Sequence, residues 1–279
     1  MIDPNFVAPL IKLAVNEDIH EGDVTSEACV DSNLTGEGKF LCKEDGVLAG
    51  IEVIEYLVNI QLPSVRFQSQ RTDGENIFKG EYFASIDGHL QKLLTYERTI
   101  LNFLQRMSGV ATLTNKFVEI VKGTDARILD TRKTIPGWRY LDKLAVEIGG
   151  GKNHRFGLFD MFLIKDNHIV AAKGITNAVM LCKKYRDEKK MKYKIEVEVK
   201  NLEELLEALQ LNVDRIMLDN FIIDDMRKAV ELTDKKCELE VSGGVNLESV
   251  RAIAETGVDY ISIGALTHSV KALDISLEL

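Results

Sequence analysis

The chain has 279 residues, 45% of them hydrophobic and 28% charged, with a formal net charge of -9. That length supports one large domain, or a large and a small one, with a substantial core, and the acidic balance argues against nucleic acid as a general partner. Four scattered cysteines (Cys29, Cys42, Cys182, Cys237) show no metal-ligand spacing, and no run approaches the roughly 18 apolar residues of a membrane span, so the expectation is a cytoplasmic protein with reduced thiols, no export signal and no structural zinc.

Phe6, Leu10, Leu13 and Ala14 fall at helical spacing and predict a first helix over Asn5 to Asp18, broken by the turn and cap residues of Glu21 to Ser26. Strands are expected at 36–48, 64–70 and 81–87, with a helix over 51–60. Strands and helices here do not strictly alternate, so the first hundred residues read as a small α+β unit. From Tyr96 a proline-free helical pattern runs past Ser108-Gly109 to Val121 and bridges to the rest of the chain. Beyond it, apolar runs near 126–129, 161–164, 193–199, 214–218, 237–241 and 258–263 alternate with helical stretches at 139–148, 178–185, 202–209, 224–232 and 247–255. Regular β/α alternation predicts a parallel sheet with right-handed crossovers, and six or so units suit a closed or nearly closed barrel. An open Rossmann-like sheet is the alternative, although no GxGxxG follows a first strand.

Between Arg127 and His168 the chain gathers eight Lys and Arg residues against its general acidic trend. Lys and Arg ordinarily sit on solvated faces. Here they occur in different local settings, after an apolar run at Asp130-Thr131-Arg132-Lys133, after three glycines at Asn153-His154-Arg155, and after another apolar run at Lys165. The carboxyl end of a buried strand is where an α/β protein places its chemistry. Thr131, Arg132, Lys133 and Thr134 together offer the hydroxyls and cations that phosphate and carboxylate ligands need. His154 and His168 either donate to an anion or cap loops.

Glu196 and Glu198 alternate with valines, so both carboxylates point to one side of a strand. That side is either an interior, where they need a cation or metal, or the water beside an edge strand. Asp219 follows a strand, as a helix cap or as a chemical group. Ser242-Gly243-Gly244 and Ile263-Gly264-Ala265 follow the last two strands, and each is expected to lead into a helix whose N-terminus meets a phosphate. A phosphate cradle, two acids able to hold Mg2+ or face developing positive charge, and cations for a second anion suit transfer of a phosphorylated sugar from pyrophosphate to an anionic acceptor.

The ordered motifs Glu21-Gly22-Asp23-Val24-Thr25-Ser26, Glu97-Arg98-Thr99, Asp130 to Gly137, Gly149 to Arg155, Leu163 to His168, Glu196 to Val199, Leu218 to Phe221 and Val241 to Gly244 resemble those of the quinolinate phosphoribosyltransferase family over nearly the whole chain. The resemblance implies a type II phosphoribosyltransferase that converts quinolinate and phosphoribosyl pyrophosphate, with Mg2+, to nicotinate mononucleotide, pyrophosphate and CO2 in NAD biosynthesis. It implies an N-terminal α+β open-faced sandwich over 1–100, joined by the tail 270–279, and an incomplete, TIM-like α/β barrel over 101–269. It also implies a homo-oligomer, a dimer or a hexamer built of dimers, with the active site shared between subunits. Carried over residue by residue, Arg132, His154, Arg155 and a partner subunit's Arg98 resemble the quinolinate-binding groups, with Thr131 beside them. Lys133 and Lys165 resemble the lysines between quinolinate and pyrophosphate. Glu198 and Asp219 resemble the acids at ribose and metal, and Ser242, Gly243, Gly244, Ile263, Gly264 and Ala265 the 5′-phosphate loops. Alternatives are a nicotinate-using paralogue, a lyase forming a Schiff base at Lys165, and a non-catalytic phosphosugar sensor.

Overall fold

The computed structural model describes residues 2–279. They fall into two compact units: one takes in the chain up to Asn115 with Thr134–Gly150 and Leu266–Leu279, the other Lys116–Lys133 with Gly151–Ala265.

In the first unit, helix α1 (Pro4–Asp18) starts where Asp3 accepts the Asn5 amide at 2.9 Å and Pro4 fills the first turn, where no amide donor is needed. The Glu21 to Ser26 stretch ends that helix and starts another. Asp23 accepts the Thr25 and Ser26 amides and so caps α2 (Val24–Cys29). The strand expected at 36–48 divides into β1 (Thr35–Cys42) and β2 (Gly46–Val47). They are followed by α3 (Ile51–Gln61), β3 (Arg66–Ser69), β4 (Asn76–Ile77) and β5 (Tyr82–His89). β1, β5 and β3 join the C-terminal strand β12 (Ile275–Glu278) in an antiparallel sheet of order β12-β1-β5-β3, while β2 pairs with β4 apart from it.

Helix α4 (Leu90–Val121) begins before the pattern at Tyr96 predicts, and a boundary at residue 100 falls inside it. A glycine in a helix interior costs roughly 0.5–1 kcal/mol relative to alanine. Gly109 is required nonetheless: a side chain there would collide with the main chain of Lys271, Ala272 and Leu273. The same C-terminal segment is tied to α4 by Leu273 N to Gln105 O at 2.9 Å and Gln105 Nε2 to Ile275 O at 2.7 Å. Helix α5 (Arg139–Ile148), with the bounds its amphipathic pattern predicts, also belongs to this unit. Arg106 clamps it, donating from Nε and NH2 to the buried Asp142 carboxylate at 3.1 Å each and to the Thr267 carbonyl at 3.0 Å.

The second unit holds six parallel strands, β6 (Arg127–Leu129), β7 (Phe162–Ile164), β8 (Ile195–Val199), β9 (Arg215–Asp219), β10 (Glu238–Ser242) and β11 (Tyr260–Ser262), in the order β6-β11-β10-β9-β8-β7. Among the described residues β6 and β7 do not pair, and Lys152 bridges to Leu129 beside β6. The sheet curls all the same. His154, just past that bridge, reaches Glu240 on β10 and Glu196 on β8. This is an incomplete α/β barrel and not a flat open sheet. Helices α6 (Asp166–Ala172), α7 (Ile175–Glu188), α8 (Leu202–Leu209), α9 (Ile223–Thr233) and α10 (Val250–Ala254) connect the strands, and α11 (Ala265–His268) follows the last.

Register explains the sequence pattern. Paired residues of parallel strands share a face, so Val197, Ile216, Leu239, Val241 and Ile261 form the buried outer face. Glu196, Glu198, Arg215, Asp219, Glu240, Ser242 and Ser262 share the inner one. All four cysteines are free, and no described helix is long and apolar enough to cross a membrane. Replacing Gly109 with alanine should loosen the C-terminal segment at a cost of about 2 kcal/mol, lowering the thermal midpoint by roughly 4–8 °C; calorimetry showing no drop would mean the tail does not need that close approach.

Candidate active site

Most barrel residues singled out in the sequence lie at or just beyond the carboxyl end of a parallel strand, and therefore at one mouth; Glu196 sits deeper, at the second position of β8, and His154 and Arg155 follow the bridge that Lys152 makes beside β6. Thr131, Arg132 and Lys133 follow β6, and Lys165 follows β7. Glu198 lies near the end of β8, Asp219 and Ser242 close β9 and β10, and Ile263, Gly264 and Ala265 follow β11. Ile263 is buried and its amide donates to the Leu129 carbonyl at 2.9 Å, so the β11 turn is fixed against β6. Arg98 lies in the first unit, on α4, where it is exposed.

The cations are arranged for an anion. Arg132 Nε is buried without a hydrogen-bond partner among the described residues, a donor left for something absent from the chain. Arg155 donates from NH1 to the Met161 carbonyl at 3.2 Å, and burial, reinforced by the neighbouring Arg132 charge, holds its guanidinium below its ordinary value. Two mutually repelling guanidiniums, neither fully solvated, are stabilised by a ligand carrying more than one negative charge. Lys133 is exposed, and its amide donates to Thr131 Oγ1 at 3.0 Å.

Across the mouth, Lys165 Nζ lies 4.0 Å from Glu198 Oε2. Burial raises the Glu198 carboxyl above its ordinary value; Lys165 opposes that shift and Asp219 adds to it. Glu198 and Asp219 are thus neighbouring carboxylates with one lysine beside Glu198, and their oxygens are a donor set that fits a hard divalent cation. Glu196 and Glu198 face the interior of an internal strand, which decides the question left open by their alternation.

The phosphate loops differ from expectation in one respect. No helix starts directly after Ser242-Gly243-Gly244; α10 begins only at Val250, because Asn246 Oδ1 accepts the Glu248 and Ser249 amides and holds the intervening segment as a turn. Gly243 and Gly244 have φ of +102° and +62°, a region L side chains rarely adopt. A Cβ on Gly243 would strike the Asn220 amide, whereas one on Gly244 would meet nothing within 4 Å. The cradle is therefore bare main chain facing open space. Asn220, itself at φ +56°, is tucked over Gly243 and gives Leu218-Asp219-Asn220 a structural reason that spacing alone does not reveal.

Both histidines cap main-chain amides. His168 Nδ1 accepts from Lys165 N at 3.0 Å, and His154 Nδ1 from Arg155 N at 2.8 Å. His154 Nε2 lies 3.0 Å from Glu196 Oε2 and 3.4 Å from Glu240 Oε2, both acids being fully buried. Arg215 donates from NH1 to Glu240 at 2.8 Å, and its guanidinium stacks 4.0 Å from the Tyr260 ring centroid. Although burial works against its charge, Glu196, Glu240 and Glu238 hold Arg215 above its ordinary value. Burial pushes Glu196 up to about 7 against the pull of Arg215, and burial with repulsion from Glu196 pushes Glu240 up to about 7. Arg215 and Glu240 escaped sequence reasoning. The signal was there in acids and an arginine on one face of adjacent strands, but it needs the register to be read.

Two hollows lie elsewhere in this unit. One of about 480 Å³ beside β7 is lined mainly by apolar residues such as Leu163, Ala178 and Leu181, with Arg155, Met161 and His168 at its edge. The other, about 960 Å³ and lined by Arg127, Lys194, Glu238 and Asp259, is at the amino ends of the strands, where its charges satisfy one another, as Lys194 and Glu238 do at 2.9 Å.

The chain is similar to known proteins over nearly its whole length. The family model "Quinolinate phosphoribosyl transferase, N-terminal domain" matches residues 23–108, and "Quinolinate phosphoribosyl transferase, C-terminal domain" matches residues 110–278. A chloroplastic nicotinate-nucleotide pyrophosphorylase [carboxylating] of Arabidopsis thaliana is 46% identical, over 97% of this chain and 82% of its own length. A probable nicotinate-nucleotide pyrophosphorylase [carboxylating] of Bacillus subtilis is 43% identical, over 94% of this chain and 90% of its own. Among solved structures, NadC from Streptococcus pyogenes superposes with a TM-score of 0.95 at 36% identity, covering 100% of this chain and 98% of that one.

A carboxyl whose value is raised by folding contributes stability that is complete below its unfolded value, 4.5, and is lost as pH rises through its folded value, about 7. Glu240→Gln, which stays neutral, should therefore gain stability relative to the parent as pH rises from 5 to 8. Thermal midpoints of the two proteins whose difference is flat across that range would contradict the raised buried acid.

Proposed function

The chain belongs to the quinolinate phosphoribosyltransferase family, and from that membership we propose how its side chains divide the work of the reaction. The reaction transfers the phosphoribosyl group of phosphoribosyl pyrophosphate to the nitrogen of quinolinate and releases pyrophosphate and CO2, leaving nicotinate mononucleotide for NAD biosynthesis.

Quinolinate is a dianion at neutral pH and must be brought against another polyanion, so binding the pair demands several fixed cations. Arg132 and Arg155 take its carboxylates, with Thr131 beside them and Arg98 supplied by a second subunit. His154 serves that group through the loop it anchors. Lys133 and Lys165 lie between quinolinate and the departing pyrophosphate. The 5′-phosphate rests on Ser242, Gly243, Gly244, Ile263, Gly264 and Ala265, and at Gly243 and Gly244 no side chain keeps it from approaching the main chain. The observation that carries this reading is the buried, unpartnered Arg132 Nε next to Arg155, two guanidiniums whose repulsion a dianion would relieve.

As pyrophosphate leaves, positive charge grows at the ribose anomeric carbon, and the carboxylates of Glu198 and Asp219 at the same mouth stabilise it electrostatically. The same two acids are the residues that would hold Mg2+. When bound, the ion neutralises charge on the diphosphate. Once alkylated, the pyridine nitrogen is cationic, so the carboxylate on the neighbouring carbon leaves as CO2, its electron pair stays on that carbon beside the positive nitrogen, and the carbon takes a proton from water to give nicotinate mononucleotide. The protein's part in that step is to keep the site closed. The Schiff-base alternative has less support, because Lys165 is about half exposed and lies 4.0 Å from the Glu198 carboxylate, not in the desolvated apolar pocket that activates a nucleophilic lysine. The free thiols support a reducing, cytoplasmic setting.

Arg132→Ala should raise the KM for quinolinate at least about thirty-fold while the fold survives, since removing one partner of a sequestered charge pair costs about 2–5 kcal/mol; near-parental kinetics in a folded variant would refute the assignment. If the site is shared between the subunits of a dimer, mixing Arg98→Ala with Arg155→Ala subunits should restore about a quarter of the parental activity, because half the dimers then carry one intact site. No recovery would argue for self-contained subunits.

A further inference from the structure

The barrel interior beneath the mouth holds a polar cluster that the chemistry does not use. Glu196, Glu240 and Arg215 come from three adjacent strands, and His154 reaches them from the loop after β6. Buried charge of this kind is expensive and breaking it costs stability, yet apolar side chains of similar volume would fill a barrel at least as well. Its retention inside the barrel calls for a reason connected with what lies above it.

The hydrogen bonds supply one. A main-chain amide can only donate, so at the 2.8 Å contact from Arg155 N the His154 Nδ1 must be the acceptor. The ring proton is then on Nε2, which donates to Glu196 Oε2 at 3.0 Å. Both ring nitrogens are thereby engaged within the chain. One residue back, the His154 amide donates to Asp130 Oδ1 at 2.8 Å, so the main chain of 154 and 155 is pinned from two sides. His154, Glu196 and Glu240 also offer three potential metal-ligand atoms within 4.8 Å of one another. An ion there would need the Nε2 lone pair, which the tautomer fixed by Arg155 N denies it, and the Arg215 guanidinium already meets the Glu240 carboxylate at 2.8 Å.

We infer that Glu196 is a positioning residue for quinolinate recognition: it holds His154 as the neutral Nε2–H imidazole whose Nδ1 fixes the Arg155 main chain, and so aims the Arg155 guanidinium at the mouth. Glu240 and Arg215 hold Glu196 in place. His154 contributes to quinolinate binding without touching quinolinate. This rests on Arg155 being a quinolinate ligand and adds what sets its position.

The test is steady-state kinetics on the intact oligomer with Glu196→Ala, Glu196→Gln, His154→Ala, His154→Asn and Arg155→Ala, together with 15N-histidine NMR spectra with and without quinolinate. The two alanine variants at 154 and 196 should raise the KM for quinolinate about tenfold or more, as misplacing one binding group can, with the KM for phosphoribosyl pyrophosphate unchanged. Glu196→Gln and His154→Asn keep an acceptor at the required place and should recover most of the loss. Adding Glu196→Ala to Arg155→Ala should cost nothing further, because the two act through one group. The spectra should show a neutral Nε2–H imidazole for His154 that quinolinate leaves unchanged. If Arg155→Ala raises the quinolinate KM and the 154 and 196 variants do not, this inference fails alone. If Arg155→Ala has no effect, the underlying reading fails. An imidazolium signal appearing with quinolinate, or Zn2+ uptake that Glu196→Gln abolishes, would also overturn it. Should the alanine variants not fold, the Gln variant and the spectra of the parent protein decide.

Discussion

The structure depends on a crowd of like charges held still at one mouth of a curled parallel sheet. Arg132 and Arg155 repel each other, as Glu198 and Asp219 do, and each pair is half withdrawn from water. Such arrangements survive folding only when the rest of the fold supplies the stability they cost. Here the outer face does so: Val197, Ile216, Leu239 and Val241 are packed away from solvent, leaving the inner face free to carry charge.

The same arrangement explains why the substrates meet here. Two polyanions repel strongly in a low-dielectric site, and a protein that binds both must fix positive charge before they arrive. The parallel sheet does this cheaply, because strand ends from distant parts of the sequence converge on one edge. Residues 131–133, 165, 198, 219 and 242 arrive from five different strands without any loop having to be long. Below them, His154 and the buried acids stiffen the loop that bears Arg155, so rigidity in the interior becomes accuracy at the mouth.

Much of this was legible in the sequence. Helices α5 and α8 have the bounds their apolar spacing predicts, and the strand ends were found because apolar runs stop abruptly at charged residues. Other features depend on contacts that no local pattern encodes. The start of α4 at Leu90 is hidden because the helix follows β5 without a break. The helix expected directly after Ser242-Gly243-Gly244 is displaced by the Asn246 turn. The short helix α6 was not foreseen, although its cap, His168 on Lys165 N, lies inside a recognised motif. The interior cluster needs four segments in register before it exists at all. Glu196 and His154 were visible one at a time, the acid in an alternation whose direction the sequence left open, whereas Arg215 and Glu240 join them only once the register is known.

The central claim is that this mouth is built for a dianion and for its loss of one carboxylate. It is tested most directly by supplying the purified protein with phosphoribosyl pyrophosphate and Mg2+ and measuring pyrophosphate and CO2 together, with quinolinate or nicotinate as acceptor. The account predicts equal amounts of both products with quinolinate and negligible turnover with nicotinate. Comparable pyrophosphate release from nicotinate, or release from quinolinate without CO2, would contradict it.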